Sequence, residues 1–158
     1  MSLQVDAIIL KAIEADATIM QMIGNRRWCT AAAMPEDDFL RDVAVPYIIV
    51  NFDGLTSDQG TKDDPFDSGE DRVNVSVTIA AQNSEQLADL ASRVRRAVHS
   101  YLTTHMGEDG VPYETVFGAG RKFYDEWKPA YCIDLTWQCD CDFDLNGNDD
   151  EQESTAEI

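Results

Sequence analysis

The chain has 158 residues, 44% of them apolar, and its 30 acidic and 12 basic residues give a formal net charge of -18. This length and apolar content fit one globular domain with its own core, and no apolar run reaches the ~20 residues that span a bilayer. A protein this acidic repels nucleic acids and anionic lipids at long range, so we expect it to bind neither nucleic acid nor membrane directly.

The acidic residues are concentrated in two segments. Residues 53–71 contain seven acids and one lysine, and residues 144–158 contain six acids and no base. The second segment has too few apolar residues to offset the entropy of ordering it. We therefore predict a single domain over residues 1–143, with a long acidic loop at 53–71, and a disordered acidic tail over 144–158.

The first predicted element is a helix over residues 3–22, where apolar residues recur at three- and four-residue steps before Gly24. A break near Asp16 fits the same pattern. Residues 26–31 are predicted as a short strand and the following residues as loop. The run PYIIVNF, residues 46–52, is β-branched and aromatic, and it predicts a buried strand.

The next strand is predicted by the alternation in RVNVSVTIA, residues 72–80. We pair it with the strand at 46–52 as an antiparallel hairpin, because the two flank the acidic segment. A second helix follows, with Asn83 or Ser84 as N-cap, Gln86 at the capping-box position for Asn83, and an apolar stripe from Leu87 to Leu102.

The last part of the domain is predicted to be strands. Strand-like stretches occur at 113–117 and 122–127, and Pro129 precedes a final strand. The order is α-β-β-α-β-β. It predicts an α+β two-layer sandwich, in which two main helices cover one face of an antiparallel sheet of about four or more strands.

The stretch YCIDLTWQCDCDF, residues 131–143, contains three of the four cysteines and suggests a metal site. On a strand, however, Cys139 and Cys141 share a face with Leu135 and Trp137, while the aspartates point to the other face. A structural zinc site uses four ligands, usually in two close pairs. We therefore predict buried cysteines in the core and no metal, cofactor or catalytic residues.

The remaining chemical signals favour an interaction role. The carboxylates of the acidic loop miss the spacing of a calcium-binding EF-hand, and long loops in compact domains are often functional. RVRR, residues 93–96, lies on the polar side of the second helix and could meet acids of a neighbouring subunit. The candidate interface residues are Asp63, Asp64, Phe66, Asp67, Glu70, Arg93 and Arg96.

The arrangement resembles a known family. A helix that ends in MIGNRRW, a proline-started strand in VPYIIV, and RVNVSVTIAAQ running into NSEQLADLASRVRRAVHSYL are similar to the tail completion or tail terminator proteins of long-tailed bacteriophages. The resemblance covers about residues 4–143, and residues 72–102 carry most of it. The loop at 53–71 and the tail at 144–158 depart from the family pattern.

The resemblance implies a function and partners. Members of the family are not enzymes; they form rings, commonly hexameric, that stop tail-tube growth and join the tail to the head. It implies a homo-oligomeric ring that contacts tail-tube and head-connector proteins. The expected location is the host bacterial cytoplasm during assembly, since no signal peptide is evident, and then the neck of the virion.

Two other functions are considered. The charge suggests an acidic DNA-mimic inhibitor of a DNA-binding protein, although thirteen of the thirty acids lie in the loop and tail. The cysteines suggest a small metal-binding domain.

Overall fold

The computed structural model describes residues 2–29, 43–58, 69–127 and 129–143. Residues 59–68 of the acidic loop and the tail 144–158 lie outside the described residues. A 3-10 turn, Ser2–Gln4, leads into α1 (Val5–Glu14), and the further helices are α2 (Ala17–Ile23) and α3 (Ser84–Thr104). The strands are β1 (Arg27–Cys29), β2 (Tyr47–Asp58), β3 (Gly69–Ala81), β4 (Glu114–Ala119), β5 (Phe123–Asp125) and β6 (Ala130–Phe143).

The strands form one six-stranded sheet in the order β1-β2-β3-β6-β4, and β5 also pairs with β6. The predicted α+β sandwich and the antiparallel β2–β3 hairpin are confirmed. The expectation of an antiparallel sheet is wrong at one edge, because β1 pairs in parallel with β2. A parallel pair needs a long return connection, and residues 30–46 separate β1 from β2 in the sequence.

The helices cover one face of the sheet, which we call the inner face. Three isoleucines, Ile48, Ile79 and Ile133, are register partners on β2, β3 and β6 on this face. Five apolar residues of α3 are buried against it: Leu87, Leu90, Val94, Val98 and Leu102. The fully buried apolar residues of α1 and α2 join the same core. Burial of these side chains drives the two layers together.

Local side-chain contacts fix the ends of the helices. Asp16 Oδ1 accepts a hydrogen bond from the backbone N–H of Ile19 at 3.0 Å, so it caps α2 where a break was predicted. Asn83 Oδ1 accepts from the N–H of Gln86 at 2.8 Å and begins α3 as predicted. Gly24 ends α2 with a φ of 57°, a conformation that favours glycine.

The hairpin strands extend farther into the acidic segment than predicted. A bulge between Phe52 and Gly54 interrupts β2, and the strand then continues to Asp58. Gly54 has a φ of 152°, which other residues rarely adopt. Strands β2 and β3 of the hairpin therefore include residues 53–58 and 69–71. The segment that connects them is shorter than the loop predicted over 53–71. Among the described residues, no helix has the length and apolar character needed to cross a membrane.

The importance of the inner face can be tested with Leu90, whose side chain is fully buried on α3. We expect Leu90→Ala to lower the free energy of unfolding by about 2–5 kcal/mol, because it removes apolar contacts and leaves a cavity. The matched control is Leu3→Ala, since Leu3 is 71% exposed and should change stability by less than about 0.5 kcal/mol. Urea unfolding followed by circular dichroism measures both. Equal effects of the two substitutions would contradict this account of the core.

Candidate functional site

The cysteines of β6 lie in the core. Cys139 and Cys141 are buried on the inner face together with Leu135 and Trp137, as the alternation predicted. Asp140, between the two cysteines, points to the opposite, outer face. Within the described part of the chain, no group of three or more histidine, cysteine, aspartate or glutamate side chains is placed to hold a metal ion.

Burial also makes these thiols hard to ionise. It raises the pKa of Cys139 to about 12, and the nearby Cys141 and Asp140 add to the shift. Burial likewise raises the pKa of Cys141 to about 11. On β1, burial raises the pKa of Cys29 to about 12, and the Asp6 carboxylate, 3.5 Å from its Sγ, contributes further. All three thiols are therefore weak nucleophiles near neutral pH.

The outer face carries two buried residues that the sequence alternation assigned to the polar side. Cys132 lies in a small second cluster with Tyr47, Ile49, Ala80 and Ala130. Asp140 is 9% exposed, and its Oδ1 accepts from Arg72 Nε at 3.0 Å. The alternation predicted the faces correctly but not the burial, because burial on the outer face depends on neighbours from other strands.

A cleft of about 540 Å³ lies between α3, β4 and β6. Its walls are Ser92, Arg95, Arg96, His99, Thr115, Phe117 and Trp137. None of these residues is acidic, although the chain has a net charge of -18. We call this feature the basic cleft.

Aromatic rings position one arginine of the basic cleft. The guanidinium carbon of Arg95 lies 4.2 Å from the centroid of the Phe117 ring, a cation–π contact. Phe117 in turn meets Trp137 edge to face, with ring centroids 5.1 Å apart. Trp137 is buried in the core. The core therefore holds Phe117, and Phe117 holds Arg95 at the cleft.

The predicted interface residues are placed in different parts of the molecule. Arg96 lines the basic cleft and a second cleft of about 430 Å³ between α1 and α3. Arg93 lies apart, and its Nε donates to Asp89 Oδ2 at 3.2 Å. Glu70 is on β3, 3.8 Å from Arg72 on the outer face. The structure thus does not bring Glu70 to Arg93 or Arg96, the two arginines predicted at the interface.

The other predicted interface residues, Asp63, Asp64, Phe66 and Asp67, lie outside the described residues. Sequence reasoning missed Arg95, because its distinguishing contact is with Phe117 on a strand distant in the sequence. The only available signal was its membership of RVRR.

Exposed aromatic residues mark the sheet edge formed by β4 and β5. Tyr124 is 50% exposed and Trp127 is 45% exposed. Tyr124 packs edge to face on Tyr131, with ring centroids 5.0 Å apart. Val116 and Phe123 are also exposed along this edge. Exposed tyrosine and tryptophan side chains are enriched at protein interaction surfaces.

Of the comparisons with known proteins, the one with solved structures gives a match. No family model matches the chain, and no curated protein matches it. Among solved structures, a similar chain comes from a structure titled "Virion of native gene transfer agent (GTA) particle". The two chains share 14% sequence identity and a TM-score of 0.58, over 87% of this chain and 94% of that one. At this identity the likeness shows a shared fold.

The buried thiols predict how stability depends on pH. A thiol that ionises near pH 9 when unfolded but only near pH 11–12 when folded favours the folded state below pH 9. That stabilisation is lost as pH rises from about 9 towards 12. We therefore expect the urea midpoint to fall between pH 8 and pH 10, and to fall less in Cys139→Ala than in the parent chain. Equal pH dependence in both proteins would contradict the burial of this thiol.

Proposed function

We propose that this protein is a structural assembly protein of a phage or phage-like particle. In this role it caps the tail tube and joins the tail to the head as part of a homo-oligomeric ring, and it is not an enzyme. It would assemble in the bacterial cytoplasm and end in the neck of the virion. Its partners would be further copies of itself, the tail-tube protein and the head connector.

The observation that carries the proposal is the fold shared with a chain from a gene transfer agent virion. The likeness spans 87% of this chain and 94% of the other, so it covers most of both chains. The sequence patterns similar to tail completion and tail terminator proteins support the finer assignment to the end of the tail.

The surface of the molecule supports a role in protein contact. The β4–β5 edge exposes Val116, Phe123 and Tyr124, and an exposed strand edge invites pairing or packing by another chain. A ring around DNA also benefits from negative charge, because acidic side chains facing the channel repel phosphate and let the DNA slide. The net charge of -18 suits that position.

The DNA-mimic alternative has weaker support. A mimic presents acids at phosphate-like spacing on a rigid surface. On the outer face, however, Asp140 is paired with Arg72, and Asp134 accepts a hydrogen bond from Thr78 at 2.7 Å. These carboxylates are occupied within the fold. The metal-binding alternative has lost its argument from the paired cysteines, since both side chains are buried in the apolar core.

The proposal is tested by adding purified protein to isolated tail tubes of the corresponding particle. Electron microscopy should show a ring at one tube end, and capped tubes should stop growing when more tube subunit is added. Tubes that remain uncapped and keep growing at saturating protein would contradict the proposed function.

The acidic loop gives a more specific prediction. Asp58 and Glu70 are register partners, so replacing residues 59–69 with Asn-Gly closes the hairpin with a two-residue turn. We expect this variant to keep its thermal midpoint within a few degrees and to lose most ring formation, because the loop is proposed to contact a neighbour. Light scattering after size-exclusion chromatography measures the mass. A control replaces only Asp63, Asp64 and Asp67 with asparagine and preserves the loop length. If both variants assemble as the parent does, the loop has no role in the ring.

A further inference from the structure

The basic cleft is an unusual feature of this surface. Arg95, Arg96 and His99 line it from one helix, while the floor is formed by Phe117 and the buried Trp137. Among the described residues, no carboxylate forms an ion pair with Arg95 or Arg96. Their charge is therefore available to a partner, in a chain where acids outnumber bases by 30 to 12.

The floor of the cleft selects for more than charge. The Phe117 ring contacts both the Arg95 guanidinium and the Trp137 ring, the latter edge to face. An incoming aromatic ring can pack on this pair, while carboxylates beside that ring reach Arg95 and Arg96. The chemistry that fits is a short acidic peptide with an aromatic residue between its acids.

This chain contains such a peptide. The sequence DDPFD, residues 63–67, places Phe66 between Asp64 and Asp67. The acidic tail, residues 144–158, contains no aromatic residue. We propose that the basic cleft of one copy receives residues 63–67 of a second copy. This inference rests on the proposed function, since it names the contact between neighbours in the ring.

The covalent length of the chain argues for a second copy. On β3, Gly69 lies six residues before Val75. Val75 is the register partner of Trp137, and Trp137 is the register partner of Phe117. Strand geometry puts Gly69 and Phe117 about 22 Å apart. Phe66 can lie at most about 11 Å from Gly69. The loop of the same copy therefore reaches the floor of the cleft only when residues 66–69 are fully extended towards it, and a second copy meets no such constraint.

This contact also has the symmetry that a ring requires. The loop and the cleft are different surfaces of one chain, so the contact is head-to-tail. Such a contact builds a closed ring when the rotation between copies closes. An isologous contact would stop at a dimer.

The direct test uses a labelled peptide of residues 62–70, KDDPFDSGE, and the Asn-Gly loop variant as receptor, so that no attached loop competes. Fluorescence anisotropy should show saturable binding. Arg95→Glu with Arg96→Glu should weaken it by about tenfold or more, since two attractive contacts become repulsive. Phe66→Ala in the peptide should weaken it by about fivefold or more, because the ring no longer packs on the floor.

Control variants distinguish specific binding in the basic cleft from general attraction between opposite charges. Arg121→Glu with Lys122→Glu makes the same change in net charge outside the cleft, and it should change the affinity by less than about twofold at physiological salt. A peptide with lysine at positions 63, 64 and 67 should bind the Arg95→Glu, Arg96→Glu receptor better than it binds the parent receptor. No saturable binding, equal losses in the two receptor pairs, or a short DNA duplex that binds the cleft more tightly than the peptide would overturn the proposal.

The peptide assay tests the contact between copies, and the tail-capping assay tests the proposed function, so each proposal can be contradicted without the other. If the peptide binds as expected but the full chain never caps a tail tube, the proposed function is wrong and the contact stands. If the full chain caps tubes and the Arg95→Glu, Arg96→Glu chain caps them equally well, the proposed function stands and this contact is wrong.

Discussion

The structure depends on the contact between the inner face of the sheet and its layer of helices. Three aligned rows of apolar residues across β2, β3 and β6 form a continuous apolar surface, which α1, α2 and α3 cover. The same contact fixes Trp137, which holds Phe117, which in turn carries Arg95. The basic cleft thus extends from the core, and its geometry depends on the packing beneath it.

The division of the sheet into two faces explains why the cysteines are part of the core. Cys139 and Cys141 occupy inner-face positions where leucine or valine would also fit, and free cysteine behaves as a small apolar residue there. Their raised pKa values follow from burial. Asp134 and Asp140 of β6 lie on the opposite face, where Asp140 is held by Arg72.

The sequence was most informative where a local pattern decides the structure. The alternation in β6, the apolar stripe of α3 and the Asn83 cap each depend on residues close in the chain, and each prediction was confirmed. The end of β2 was misjudged because the bulge at Gly54 shifts the alternation. The parallel pairing of β1 and the contact of Arg95 with Phe117 depend on distant segments, so no local pattern could have indicated them.

The molecule combines a packed α+β scaffold with an acidic exterior, a positively charged cleft and an apolar strand edge. These features suit the proposed role, in which the protein joins the tail to the head as part of a ring. The most direct measurement of that claim is electron microscopy of particles made in cells from which the coding sequence has been removed. The account predicts filled heads separated from tails, with tubes longer than normal, and recovery of joined particles when the protein is added back. Normal joined particles with tails of normal length would contradict it.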